Sequence, residues 1–266
     1  MKHYHDESCP ELASLLRDDS ITYSVLIQIL QGRCTDIYTD HQGFVICYSY
    51  PPYPIWVWCG DLNNEQYIDD IAQCLKSAFP FEKGFSYNIS HELMKRLQEK
   101  DACFACASVK MGLLSYRLDA ICSIGHPCDG YISLPREEEL SWLAGVWHDM
   151  AHEMEGFDLD TAQCESSVRD HLGKGTLFVW RCDAGQIVAL CSRGDQGAYC
   201  KIGTVYTLPD HRRRGYAINL VHAVTESILS DGLTPILYTN AGYEASNACY
   251  RKIGFREVGR LCNVCK

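Results

Sequence analysis

The sequence lacks any uninterrupted apolar run near the ~18 residues that a membrane-spanning helix needs. Its first residues place no apolar stretch behind a basic segment, so we expect no secretory signal peptide and a cytoplasmic protein. Basic residues are also scarce, because 24 Lys and Arg stand against 34 Asp and Glu and the net charge is −10. We therefore expect neither a nucleic-acid partner nor a membrane partner.

What is present is ordinary globular material. The 266 residues are 47 % hydrophobic, which is enough for a substantial core, and this length suits two domains of ordinary size. The segment 123–130 is rich in Gly, Pro and Ser and interrupts the predicted helices and strands of the chain. We therefore predict one domain over 1–127 and a second over 128–266.

The 16 cysteines are the unusual feature of the composition. Most lie inside apolar segments of a long chain without a signal sequence, so reduced and buried thiols are the favoured interpretation. Cys103 with Cys106, and Cys262 with Cys265, each have the spacing of a zinc or redox pair. These pairs keep a zinc or redox role open as a minor alternative.

Periodicity and turn residues predict mixed α and β structure in both halves. In the first half we predict short helices over 11–16 and 23–30, strands over 35–38, 43–50 and 55–59, a helix over 64–78, a strand over 85–88, a helix over 90–99 and a strand over 106–118. In the second half we predict a strand over 130–134, helices over 137–154 and 160–171, strands over 175–182, 186–192 and 198–208, a helix over 215–230, a strand over 235–239, a helix over 246–253 and a strand over 256–262.

The most informative segment is 205–217, where a predicted strand ends at a proline and a basic loop opens a helix. Unpaired N–H groups and the positive end of the helix dipole make such a terminus an anion site. Gly215 lets the backbone approach a ligand closely. The consecutive arginines Arg212, Arg213 and Arg214 supply positive charge in an acidic chain. The segment therefore predicts a phosphate-bearing ligand, either a nucleotide or a coenzyme.

This segment resembles the pyrophosphate loop of the GNAT superfamily of acyl-CoA-dependent N-acetyltransferases, since Arg212-x-x-Gly215-x-Ala217 matches the family pattern. The second family signature is matched by Asn247, by Tyr250 three residues later, and by Gly254-Phe255. The resemblance is close over 198–260 and extends over 130–197 by element order only. It implies an α+β (α/β) fold with a mixed, mostly antiparallel central sheet flanked by helices. The order of elements in 1–127 resembles a smaller, degenerate GNAT-like domain in tandem with the first.

The resemblance also implies roles for particular residues. Tyr250 would be the general acid that protonates the leaving coenzyme thiolate, a role that suits a phenol. Acetyl-CoA would be the cosubstrate, the acceptor would be the primary amine of a small molecule, and no metal is expected. We expect a monomer or a homodimer. The residues assigned to the coenzyme are Val205, Tyr206, Thr207, Arg212, Arg213, Arg214, Gly215, Tyr216, Ala217, Asn240 and Asn247.

The general base stays open at this point, because the strand over 198–207 carries no Glu where the family often has one. A water chain is one alternative, and the side-chain candidates are His148, His152, Glu153, Glu155 and Glu165. His148 and His152 also have the spacing of a zinc metalloprotease helix, but Asp149 replaces the required Glu. A second function is a non-catalytic acyl-CoA-binding sensor or scaffold, which the missing strand Glu favours and the intact Asn247 and Tyr250 disfavour.

Overall fold

The computed structural model describes residues 1–32, 34–125, 128–155 and 159–266, and for Glu155 only the backbone. The described chain forms two compact units. Unit 1 comprises Met1–Tyr116, Thr239–Glu244 and Glu257–Lys266, and unit 2 comprises Arg117–Tyr238 and Ala245–Arg256. The predicted boundary between 127 and 128 meets residues outside the described part, so it stays a prediction.

The helices and strands are numbered in chain order. The first half contains β1 (Lys2–Glu7), α1 (Ser24–Gln31), β2 (Cys34–Thr39), β3 (Phe44–Tyr48), β4 (Ile55–Cys59), α2 (Glu65–Ala78), β5 (Tyr87–Ile89), α3 (His91–Lys100) and β6 (Ser108–Arg117). The second half contains β7 (Tyr131–Ser133), α4 (Leu140–Glu155), α5 (Thr161–Lys174), β8 (Leu177–Arg181), β9 (Ile187–Gln196), β10 (Tyr199–Thr207), α6 (Tyr216–Ser230), β11 (Thr234–Asn240), α7 (Glu244–Ile253) and β12 (Arg256–Cys265).

The sheet of unit 1 has the order β1-β2-β3-β4-β5-β12-β6. β1 through β4 pair antiparallel in succession, and β4 and β5 pair parallel. The last strand of the chain, β12, lies antiparallel to β5, with Cys262 opposite Ile89. The Asn263 amide there donates a buried hydrogen bond of 2.8 Å to Asn88 Oδ1. Helices α2 and α3 pack on this sheet through a buried apolar core.

The sheet of unit 2 has the order β11-β10-β9-β8-β7. β10 and β11 pair parallel, and the other neighbours pair antiparallel. A core between α4, α5 and the strands β8, β9 and β10 is built around Leu143, Trp147 and Val179. The predicted mixed, mostly antiparallel sheet flanked by helices is confirmed.

Both halves of the chain repeat one order of elements, which is three strands, a helix, a strand, a helix and a strand. The first series runs from β2 to β6 and the second from β8 to β12. In each series the third and fourth strands form the parallel pair, β4 with β5 and β10 with β11. The repeat of order and of parallel pairing is the structural basis for considering the halves as related.

The predicted elements are confirmed with two exceptions. The segment Pro10–Leu16 is a 3₁₀ helix and not an α-helix. The strand Lys2–Glu7 was not predicted, because none of its side chains is buried and the apolar alternation that signals a strand is missing. In the described part of the chain, no helix is long and apolar enough to span a membrane.

Candidate active site

β10 is irregular where the sequence places the coenzyme arm. Its antiparallel register with β9 shifts between Gly203 and Tyr206, and Thr204 adopts a positive φ of 48°. Its parallel pairing with β11 runs from Tyr199 to Ile202, and within the described residues it goes no further. The two strands therefore diverge after Ile202, which leaves the edge of β10 at 203–207 unpaired with β11. Val205 and Thr207 lie on this edge and are half-buried.

The loop between β10 and α6 has the backbone geometry of an anion site. Arg213 has a φ of 63° and Gly215, which precedes the helix, has a φ of 87°. In the part of the chain that the structure describes, the backbone N–H groups of 213–217 have no hydrogen-bond acceptor. α6 has no side-chain cap at this end. Successive free N–H groups at the start of a long helix suit a phosphate.

Arg212, the first residue of the loop motif, is held by three contacts. Its Nε donates to the Thr207 carbonyl at 3.0 Å, and its Nη2 donates to Glu153 Oε2 at 2.6 Å. Its guanidinium carbon lies 5.3 Å from the centre of the Tyr206 ring, within cation–π range. Tyr206 itself donates to the same Glu153 oxygen at 3.0 Å. Arg212 is thus oriented by α4 and β10 before any ligand arrives.

The other predicted loop residues divide into exposed and packed side chains. Arg213 and Arg214 are exposed, and Ala217 is half-buried in the first turn of α6. Tyr216 is buried, and its hydroxyl donates to Asp129 at 2.8 Å. This hydrogen bond raises the pKa of Tyr216. Tyr216 therefore anchors the start of α6 through its side chain.

The second predicted signature lies on α7. Asn247, Tyr250 and Ile253 share one face of the helix because of their spacing of three residues, and all three are buried. Burial raises the pKa of the Tyr250 phenol well above its ordinary value, and the neighbouring thiols of Cys249 and Cys191 raise it further. Burial also raises the pKa of Cys249 to about 12, so this thiol is not a nucleophile near neutral pH.

Asn240, the remaining coenzyme residue of the prediction, belongs to unit 1. Its side-chain oxygen accepts a hydrogen bond from the Gly242 N–H at 2.8 Å. Its carbonyl accepts from the Tyr243 N–H at 3.0 Å. These bonds give Asn240 a role in the turn that leads into α7, and its assignment to the coenzyme stays a prediction.

A cleft of about 770 Å³ lies between α4 and the end of β10. It brings together three of the predicted base candidates, His148, His152 and Glu153. Glu165 lies on α5 and does not line it, and the Glu155 side chain lies outside the described residues. The cleft is lined by Val146, His148, Asp149, His152, Glu153, Tyr206, Leu208 and Pro209.

The carboxylate and the imidazoles in this cleft differ in how readily they can accept a proton. Glu153 already accepts from Arg212 and Tyr206, and these hydrogen bonds lower the pKa of its carboxyl. A carboxylate of lowered pKa is a poor proton acceptor. His148 Nδ1 lies 3.4 Å from Asp149 Oδ1, so an acidic neighbour accompanies the imidazole. The imidazoles are therefore better placed than Glu153 to take a proton.

Sequence reasoning missed two residues beside the loop. Asp129 fixes the Tyr216 hydroxyl, and the His211 Nδ1 is buried and has no hydrogen-bond partner in the described structure. Asp129 is separated from Tyr216 by most of a domain, so no local spacing could have linked them. For His211, the sequence signal was its place in the predicted anion-binding loop.

Comparison with known proteins finds a family model that is similar to the C-terminal part of the chain. The model of the family described as FR47-like protein matches residues 178–264. The match is to this region alone, which is less than half of the chain. This region holds β8 to β11, the basic loop and α7, so the predicted GNAT resemblance is confirmed. A search of curated proteins finds no match.

The fold of the whole chain is that of solved GNAT acetyltransferases. A GNAT-family acetyltransferase from Colwellia psychrerythraea matches with a TM-score of 0.64 and 15 % identity, over 99 % of each chain. A GCN5-related N-acetyltransferase from Sphaerobacter thermophilus matches with a TM-score of 0.67 and 12 % identity, over 98 % of this chain and 94 % of that one. A GCN5-related N-acetyltransferase from Kribbella flavida matches with a TM-score of 0.60 and 14 % identity, over 96 % of this chain and 94 % of that one. At these identities the likeness describes the fold.

Proposed function

We propose that this protein transfers an acetyl group from acetyl-CoA to the primary amine of a small molecule. The observation that carries the proposal is the row of unbonded N–H groups at 213–217, beside the unpaired edge of β10. A pyrophosphate would accept from these N–H groups, and Arg213 and Arg214 would add charge. The edge of β10 at 203–207 would pair with the amide-bearing arm of the coenzyme, as an added strand does.

The chain's own residues then account for each proton. The amine nitrogen attacks the thioester carbonyl carbon, whose oxygen would accept a backbone N–H at the irregular part of β10. As the carbon–sulfur bond breaks, the Tyr250 hydroxyl would give its proton to the sulfur. The second proton that the nitrogen loses as the amide forms would return to the Tyr250 phenolate, which restores the acid for the next turnover. The raised pKa of Tyr250 keeps the phenol protonated until a thiolate forms beside it. No protein nucleophile is required.

The cleft described above is the proposed acceptor site. Asp149 and Glu153 give it a negative charge that would attract a protonated amine. The amine must lose a proton before it attacks, and His148 or His152 would take it. An imidazole suits this task better than Glu153, because the hydrogen bonds from Arg212 and Tyr206 lower the pKa of the Glu153 carboxyl.

Comparing the first half of the chain with the second supports the view that the first half does not bind coenzyme. In that half the loop between β4 and α2 stands where the second half has its basic loop. The N-terminus of α2 is occupied by the side chain of Asn64, which accepts from the N–H groups of Gln66 and Tyr67. Glu65 adds a negative charge to the first turn. We propose that the first half is a degenerate GNAT-like partner without a coenzyme site. The cytoplasmic location of the protein stays a prediction.

Replacing Tyr250 by Phe tests the reaction. We expect turnover to fall by about 100-fold, the lower end of a general acid's contribution, with the acetyl-CoA dissociation constant unchanged. Tyr131→Phe, on an exposed tyrosine of β7, is the matched control and should leave both quantities unchanged. If wild-type protein binds acetyl-CoA but acetylates no member of a broad amine panel, the sensor or scaffold alternative replaces this proposal.

A further inference from the structure

Two histidines and one aspartate converge on the exposed edge of unit 1. His3 and His5 are two residues apart on β1, so the strand alternation puts both side chains on one face. Asp36 on β2 stands directly opposite His5 in the antiparallel register. The three side chains therefore share a face because of the pairing of β1 with β2.

The distances between their ligand atoms are short. His3 Nε2 lies 2.7 Å from Asp36 Oδ1, and His5 Nδ1 lies 3.1 Å from the same oxygen. All three ligand atoms lie within 4.8 Å of one another. Ligands at 2.0–2.1 Å from a tetrahedral ion are about 3.3 Å apart, so modest side-chain rotations would place an ion among them.

We propose that His3, His5 and Asp36 bind a divalent transition-metal ion of the zinc type. Two imidazoles and a carboxylate are a donor set that zinc and nickel accept, and a fourth position would hold water. The His3 ring already stacks on Tyr38, with centroids 4.1 Å apart and planes 4° from parallel. This stacking orients one ligand in advance. The proposal differs from the expectation of no metal and is independent of acyl transfer.

The ion has a structural task at this place. β1 is an edge strand with no buried side chain, so it is held to β2 by backbone pairing, polar contacts and the stacking of His3 on Tyr38. An ion with two ligands on β1 and one on β2 would clamp the two strands together. The His3 and His5 side chains are 44 % and 68 % exposed, which leaves the site open to ions from solution.

Nickel is the probe, because it favours imidazole ligands over the many thiols of this chain. The test titrates Ni²⁺ calorimetrically into full-length protein that carries C103S and C106S, which removes the exposed thiol pair. We expect one ion per chain. H3Q/H5Q should weaken this binding by about 100-fold or more, because even outer-shell partners of metal ligands contribute 10–100-fold. D36N should weaken it as well.

The matched control is H148Q/H152Q, which removes the chain's other closely spaced histidine pair and should leave nickel binding unchanged. Hydrogen exchange at the amides of 2–7 should slow when nickel is added to the parent protein and should not change in H3Q/H5Q. Circular dichroism confirms that each variant folds. The proposal is overturned if H3Q/H5Q or D36N binds nickel as the parent does, if H148Q/H152Q loses the ion instead, or if the parent binds none.

Discussion

Replacing Glu153 by Gln should strengthen coenzyme binding. Arg212 can contribute to a pyrophosphate site only if its guanidinium is shared with, or released from, the Glu153 carboxylate at 2.6 Å. The side chains of Arg212 and Glu153 are 39 % and 46 % exposed, so solvent screens the pair. A pair of this exposure contributes about 0–1 kcal/mol. Removing the competing carboxylate should therefore tighten acetyl-CoA binding by up to about fivefold.

The assay is calorimetric titration of acetyl-CoA into wild type, E153Q and D149N. D149N removes the same charge from the same cleft, and no contact between Asp149 and Arg212 is found among the described residues, so it isolates the ion pair from the general field. We expect E153Q to bind more tightly than D149N, by a margin that shrinks as salt screens the pair. Equal affinities in the two variants, or weaker binding by E153Q, would refute the competition and make Glu153 a residue that positions Arg212.

Three further predictions concern stability. Gly215→Ala should lower the free energy of unfolding by about 1–2 kcal/mol, because the backbone there is left-handed, although the new Cβ meets only ordinary contacts at 3.6 Å or more. Gly145→Ala on α4 is the control and should be neutral or stabilising in the same thermal melts. The ion pair of Glu139 with Arg181 lowers the pKa of Glu139 to about 2. Its contribution to the free energy of unfolding is therefore complete above the ordinary carboxyl pKa of 4.5 and should fade as the pH falls from there toward 2. E139Q should abolish that part of the pH dependence in urea titrations. Asn64→Ala should cost about 1 kcal/mol in urea titrations through the lost cap of α2, and an unchanged midpoint would count against the cap.

Local signals in the sequence were sufficient where the chain repeats simple rules. The helix over 215–230 follows from an apolar stripe that starts after Gly215, and the structure has it at Tyr216–Ser230. The predicted helix over 90–99 begins after Ser90, a residue type favoured at N-caps, whose side chain accepts from the Leu93 N–H. The basic loop was predicted as an anion site from its order of strand, proline, arginines and glycine, and its free N–H groups agree with that geometry.

Features that depend on residues far apart in the sequence could not be predicted from local patterns. β1 carries no apolar alternation, and its strand character follows from pairing with β2, whose residues lie far along the chain, as in the pair of Lys2 with Thr39. β12 was predicted as a strand, but its place beside β5 depends on pairs such as Cys262 with Ile89. The contact between Glu153 and Arg212 joins α4 to a loop 59 residues away. Long-range pairing of this kind leaves no trace in local spacing.

The Sγ atoms of Cys34 and Cys47 lie 3.5 Å apart in the buried part of unit 1. All sixteen cysteines are free, and more than half are buried, which agrees with the interpretation of reduced, hydrophobic thiols. Among the described residues, the two predicted Cys-x-x-Cys pairs do not converge on one point. Their spacing alone therefore carries no support for a shared zinc site.

The central claim is that the loop at 213–217 and the cleft beside α4 together perform amine acetylation. The most direct measurement is the release of free coenzyme thiol from acetyl-CoA by the wild-type protein, with and without each member of a panel of small primary amines. We predict release that depends on an amine and is accompanied by the acetylated amine in the mass spectrum. Tight binding of acetyl-CoA with no amine-dependent release, or no binding at all, would contradict the claim.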